Sequence, residues 1–151
     1  MRIEKASGEH FNTVRAIVRE TITAVYPRYY PKGAVDFFLA HHHDAGILED
    51  IERGRVYVFS AGGAVIGTGS VKENEIYRLF VLPAFQGRGF GREFLDFMEK
   101  MLFAVYGEIR LDASLPAQSM YIKRGYEERA YHKLPANGDY LCYYEMRLKR
   151  E

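Results

Sequence analysis

The sequence predicts an α/β fold in a single domain, residues 1–151, and three observations carry that prediction. Apolar residues recur at helical spacing before Val56 and in strand-like runs after it. The strand-like run from Ile76 to Leu82 leads into Gln86-Gly87-Arg88-Gly89-Phe90-Gly91, and that stretch opens a long amphipathic helical pattern from Arg92 to Phe103. A chain of 151 residues, 48% of them hydrophobic, has the size of one ordinary globular domain and is large enough for a real core.

In order, Arg2 to Lys5 reads as a short edge strand. Ser7 is a candidate N-cap for a helix whose apolar side is Phe11, Val14, Ile17, Val18 and Ile22. Pro27 and Pro31 interrupt it. A second helix is expected over Gly33 to His42, and a further helical stretch over Asp44 to Arg53. Val56 to Ser60 and Val65 to Val71 form a hairpin across Ala61-Gly62-Gly63-Ala64. Glu73-Asn74 then turns the chain into the strand before the glycine-rich stretch. Phe94, Leu95, Phe97, Met98, Met101 and Leu102 give the next helix a wide apolar face. Glu108 to Ala113 reads as a strand, and Pro116 to Arg124 as a helix that Gly125 ends. Tyr126 to Leu134 and Tyr140 to Leu148 close the chain as a hairpin. The order is β-αα-βββ-α-β-α-ββ.

Composition narrows the function. The net charge is +1 with acidic and basic residues interleaved, which argues against the basic stripe of a nucleic-acid binder. No apolar run approaches the ~18–20 residues that cross a bilayer, and Met1-Arg2-Ile3-Glu4-Lys5 lacks the apolar core of a signal peptide. A lone cysteine, Cys142, excludes an internal disulfide framework. The expectation is a soluble cytoplasmic protein without nucleic-acid or membrane partners. Trp is absent, whereas Tyr and Phe number 12 and 10.

The glycine-rich stretch is the main chemical signal. Glycines at alternate positions let a bulky partner approach the backbone. The first N–H groups of a helix lack internal partners, and the dipole there favours an anion. Strand, glycine turn and helix start together make a phosphate cradle. The dinucleotide fingerprint needs a third Gly at its sixth place. That place holds Arg92 counting from Gly87, and Phe94 counting from Gly89. The P-loop's Gly-Lys-Ser/Thr is missing as well.

The pattern that fits is Q/R-x-x-G-x-G/A, met by Gln86, Gly89 and Gly91, after a strand ending Val81-Leu82-Pro83. Further on comes Ala117-Gln118-Ser119-Met120-Tyr121-Ile122-Lys123-Arg124-Gly125-Tyr126, similar to a late helix of the same family. From Val56 to Leu148 the chain resembles the GNAT superfamily of N-acetyltransferases. The resemblance implies a mixed sheet with helices on both faces, and central strands splayed to admit the pantetheine arm of acetyl-CoA. It implies a cradle of Gln86, Gly87, Arg88, Gly89, Phe90, Gly91 and Arg92, with Arg88 and Arg92 adding charge-assisted bonds. It also implies main-chain pairing of pantetheine with Phe80 and Val81. Ser114 stands where many relatives have Asn, and is expected on the cofactor.

Tyr121 falls on the family's tyrosine near the CoA sulfur. A phenol is protonated at neutral pH and can supply the departing thiolate's proton. For the base, Glu75 is the candidate, with Glu73 close by and solvent as a competitor. Aromatic residues of the N-terminal helices and the last hairpin are expected to line the acceptor site: Tyr29, Tyr30 and Phe37 with Tyr144, beside Tyr26, Tyr140 and Tyr143. His41-His42-His43 reads as a helix end rather than a metal site, because consecutive side chains diverge. Either a cationic helix-end role or one of them lining the acceptor pocket is open. No metal is expected.

The activity implied is transfer of acetyl from acetyl-CoA to a primary amine, by direct attack in a ternary complex, with a small molecule as acceptor. The alternatives are a protein or peptide acceptor, or a non-catalytic acyl-CoA-binding module. A homodimer is a further possibility, since relatives pair through their last strands.

Overall fold

A computed structural model describes residues 2–151. The strand β1 (Arg2–Lys5) is followed by three helices, α1 (Phe11–Val25), α2 (Lys32–His41) and α3 (Asp44–Glu52). Strands β2 (Val56–Ala61), β3 (Ala64–Lys72) and β4 (Glu75–Val81) run into α4 (Phe90–Phe103). Then come β5 (Glu108–Ser114), α5 (Gln118–Lys123), β6 (Glu127–Ala136) and β7 (Asp139–Lys149). This is the expected order, with the third N-terminal helical stretch formed as α3. No helix among the described residues is long and apolar enough to cross a membrane.

Local chemistry explains the boundaries. The N–H of Ser7 donates to His10 Nδ1 at 2.9 Å, in a short 3-10 turn that precedes α1. A 3-10 turn at Tyr26–Arg28, with Pro27 inside it, ends α1. The last hairpin turns tightly on Asn137 and Gly138, at φ +51° and +83°, as the short Asn-Gly turn requires. Pro135 and Ala136, expected in the loop, belong to β6 instead. Asn137 and Gly138 alone satisfy the reversal, which lets the strands zip further.

The seven strands form one sheet in the order β1-β2-β3-β4-β5-β7-β6. Neighbours are antiparallel except β4 and β5, which run parallel and pair only at Glu75 and Arg110. Asn74 holds the start of this pair: its carbonyl accepts from the Arg110 N–H at 3.0 Å and its Nδ2 donates to the Glu108 carbonyl at 3.1 Å. Beyond that point the two strands diverge, leaving a gap toward their C-terminal ends.

A β-bulge lies beside the gap. Thr68 faces Phe80 and Ser70 faces Tyr77, so Arg78 and Leu79 share the place opposite Gly69. Arg78 takes φ +50°, a left-handed value that costs a non-glycine residue energy. A bulge bends its strand, here beside the neighbour from which β4 has parted.

The sheet separates two apolar clusters. On one face Val14, Ile17, Val18 and Ile22 of α1 pack with Ile47 and Ile51 of α3 against Val56 and Val58. On the other, Phe94, Leu95 and Met98 of α4 pack against Phe59, Ile66, Ile76, Ile109 and Met146. Each fully buried Leu, Ile or Phe contributes about 1.5–3 kcal/mol, so α1 and α3 on one face and α4 on the other are held firmly to the sheet.

Candidate acyl-transfer site

Two cavities open at the gap. The first, of about 420 Å³, is lined by Thr21, Val25, Tyr26 and Tyr29 from the α1 side, Leu79, Phe80 and Val81 of β4, the glycine-rich turn, and Ser114 to Tyr121 in part. The second, of about 380 Å³, lies between the C-terminal half of α2 and the sheet. Phe37, Phe38, His41, His42, Glu75, Tyr77, Asp112 and Tyr143 belong to its wall. Tyr26, Leu79, Phe80, Ser114, Ala117 and Tyr121 line both. Those shared residues mark the place where the cavities meet.

The glycine-rich turn before α4 is the candidate cradle. Gly87 and Gly89 sit at φ +75° and +85°, and Gly89 is the N-cap of α4. The helix starts at Phe90, earlier than the apolar pattern from Arg92 implies, because Gly89 supplies the left-handed residue that begins it. Glu93 is bonded to the Gly89 carbonyl at 3.2 Å, so the N–H groups of Phe90, Gly91 and Arg92 are the helix's unpaired donors. Gln86, Gly87, Gly89, Gly91 and Arg92 line the first cavity. Arg88 does not: its guanidinium carbon stands 5.4 Å from the Phe85 ring centre and 5.3 Å from that of Phe90. A cation held by two aromatic rings turns away from the cradle, as does the Phe90 ring that helps hold it. Gln86 Nε2 donates to the Val81 carbonyl at 2.9 Å, so one of the main-chain groups expected for pantetheine already has a partner.

Tyr121 is buried at the junction, its ring edge-on to Tyr126 at 5.3 Å. The short helix α5 gains its placement from its far end. Arg124 Nη2 donates to Glu99 Oε1 and Asp96 Oδ1 of α4, each at 2.8 Å, and the Tyr126 hydroxyl donates to Glu99 at 2.9 Å. Burial raises the Tyr121 pKa well above the usual phenol value, so its hydroxyl stays protonated. Burial also raises that of Tyr26, against an opposing pull from the Ser114 side chain.

Glu75 lines the second cavity and accepts from Arg110 Nη2 at 2.9 Å. Glu73, at φ +52° in the β3–β4 turn, is outside both linings. Asp112 is a second carboxylate on the cavity wall, missed in the sequence. Burial first, then Glu75 and Glu145, push its pKa up. Its signal was parity: it lies two residues before Ser114, hence on the same face of β5.

The acceptor-side aromatics divide. Phe37 lines the second cavity, while Tyr29 lines the first. Tyr30 lines neither: its hydroxyl donates to the Cys142 carbonyl and accepts from the Leu115 N–H, both at 2.8 Å. It ties the end of β5 to β7 as part of the core. Tyr144 faces the α4 side, 5.1 Å from Tyr131, and the cavity residue is its neighbour Tyr143. Adjacent strand residues point to opposite faces, and the sequence alone did not fix which.

The three histidines each do something different. His41 ends α2, His42 caps it, and His43 caps α3 by accepting from the Gly46 N–H at 3.0 Å. The cationic helix-end role fails for the first two. Burial lowers the pKa of both, to about 3 for His42, with Arg78 as the next cause. His41 and His42 line the second cavity. Among the described residues no group of three or more His, Cys, Asp or Glu is placed to hold a metal.

The family model of the acetyltransferase (GNAT) domain matches residues 25–150. The chain therefore belongs to the GNAT acetyltransferase family, and it is an acyltransferase. A GCN5-related N-acetyltransferase from Rhodopseudomonas palustris superimposes with a TM-score of 0.90 at 22% identity, over 99% of this chain and 95% of that one. The PaiA N-acetyltransferase of Thermoplasma acidophilum, solved with coenzyme A, gives 0.77 at 21%, over 99% and 98%. The ribosomal-protein-S18-alanine N-acetyltransferase of Escherichia coli gives 0.67 at 16%, over 98% and 92%. At these identities the structures share the fold. No curated protein sequence matches the chain significantly.

Proposed function

We propose that the protein transfers acetyl from acetyl-CoA to a small primary amine, with the two substrates entering from opposite cavities. The observation that carries this reading is the meeting of those cavities at the β4–β5 gap, with Tyr121 in the wall of both. The first cavity suits CoA. Its pyrophosphate would take the open N–H groups at the start of α4, with Arg92 beside them, and its pantetheine would lie along β4. Gly87 suits that approach, since even a Cβ there would have open space around it.

In the reaction the amine nitrogen attacks the thioester carbon, the C–S bond breaks, and the amine loses one proton while the thiolate gains one. Main-chain N–H groups near Phe80 and Val81 polarise the thioester oxygen. Tyr121, held protonated by burial, donates to the leaving sulfur. Glu75, which accepts from Arg110 Nη2, is the proposed base; solvent competes for the same proton. Ser114, at the junction, bonds the cofactor. Phe37 gives the acceptor an apolar wall and Tyr29 borders the cofactor side, whereas Tyr30 and Tyr144 support the frame.

The aromatic second cavity, of about 380 Å³, favours a small acceptor over a protein chain. Tyr121→Phe tests the mechanism. Thiol release should fall about a hundredfold or more, while CoA still raises the melting temperature by the wild-type amount. Unchanged turnover would remove Tyr121 from the reaction.

A further inference from the structure

The acceptor cavity holds a polar group that none of these steps uses, the imidazole of His42. Its ring lies edge-on to Phe80, a residue of both cavities, with centres 5.7 Å apart and planes at 86°. Arg78 Nε donates to His42 Nδ1 at 3.1 Å. A guanidinium has only donors and never loses its proton in a protein, so Nδ1 must be the ring's lone-pair nitrogen. A neutral imidazole then carries its one proton on Nε2.

What holds Arg78 makes that assignment rigid. Its Nη1 donates to Asp50 Oδ2 at 2.7 Å, and the other Asp50 oxygen accepts from Arg55 at 3.1 Å. The Arg78 and Asp50 side chains are 8% and 12% exposed. Arg78 also occupies the strained bulge position at φ +50°, a place that persists only when its surroundings fix it. Among the described residues, His42 Nε2 has no hydrogen-bond partner, and the sealed side-chain atoms without one are Thr21 Oγ1 and Ser70 Oγ. Nε2 is thus open, and His42 lines the second cavity.

We infer that His42 is a positioning residue for the acceptor, presenting a permanent Nε2–H donor that selects primary amines carrying an oxygen acceptor next to an apolar body. This rests on the second cavity being the acceptor site. The ring cannot serve as base, since one nitrogen bears the proton and the other faces a cation. Phe37, Phe38, Tyr77 and Tyr143 supply the apolar surroundings. A carbonyl oxygen meeting Nε2–H would receive a donor polarised from behind by the Asp50–Arg78 pair.

The test compares phenylalaninamide with 2-phenylethylamine, which differ by one carboxamide. Their different amine basicities cancel when the ratio of kcat/KM values is compared between proteins. The wild-type ratio in favour of phenylalaninamide should fall roughly tenfold in His42→Phe, mostly through KM. His42→Gln, which keeps an N–H donor on the side chain, should retain most of it, with the wild-type pH profile. A ratio unchanged in His42→Phe overturns the inference, as does a pH limb near 6.5 that disappears in His42→Gln. A third reading needs no turnover. Long-range proton–nitrogen NMR should show His42 as the Nε2–H tautomer from pH 5 to 8, and that proton should shift when phenylalaninamide is added with CoA. An Nδ1–H tautomer, or no shift, contradicts the inference even if neither amine is acetylated. Failure of the acyltransferase reading is seen separately, as a melting temperature that CoA leaves unmoved.

Discussion

Asp50 illustrates how a single side chain far from the reacting atoms sets the site. It lies on α3 and neutralises Arg78 at the bulge of β4, with Arg55 on its second oxygen. Removing one partner of a buried ion pair leaves the other charge uncompensated, at about 3–5 kcal/mol. Asp50→Ala should therefore lower the melting temperature by about 6–20 °C, read in a thermal melt. Nothing in the sequence tied Asp50 to Arg78 and His42, which meet only through folding. Gln86, Gly89 and Gly91 stand together on the first cavity because the glycine-rich turn is contiguous in the chain, so its shape is readable from the sequence. Tyr121 lies where the late-helix pattern puts it, in the wall of both cavities. Which of Tyr143 and Tyr144 faces the cavity is not readable from the hairpin's sequence, because it leaves strand parity open, and the burial of Tyr30 is not visible in its sequence neighbours.

Elements place the two cavities, and two glycines show how. α2 docks by its N-terminus on the last hairpin: the Gly33 N–H donates to Asp139 Oδ2 at 2.7 Å, and Asn137 Nδ2 donates to the Gly33 carbonyl at 3.1 Å. A Cβ on Gly33 would meet the Ala136 and Asn137 carbonyl oxygens at 2.7 Å. Gly33→Ala should push α2 from the hairpin, raising the acceptor KM several-fold while the CoA-induced melting shift persists. Gly89→Ala should do the reverse. Its φ of +85° costs an alanine about 1–2 kcal/mol, and distortion of the cradle should weaken CoA binding with little change in acceptor KM. The helix and strand order was readable from periodicity. The bulge at Arg78 was not, because an extra residue in a strand leaves no mark on an apolar run.

For the molecule as a whole, a histidine largely shielded from water links stability to pH. In the folded protein His42 stays neutral down to about pH 3, whereas an unfolded histidine binds its proton near pH 6.5. Between those values the unfolded chain holds more protons, so stability is full above 6.5 and falls as the pH drops toward 3. His41 shifts in the same direction. The melting temperature of wild type should decline more steeply from pH 6.5 to 5 than that of His42→Gln.

The central claim is that the gap between β4 and β5, beside the α4 cradle, receives acetyl-CoA. A thermal melt with acetyl-CoA, CoA, NADH and ATP at equal excess tests it most directly. At ~100 times its dissociation constant a ligand adds roughly 2.7 kcal/mol, a rise of about 5–10 °C for a chain of this size. That rise is expected for the two CoA species alone. A rise with NADH or ATP and none with acetyl-CoA would contradict it.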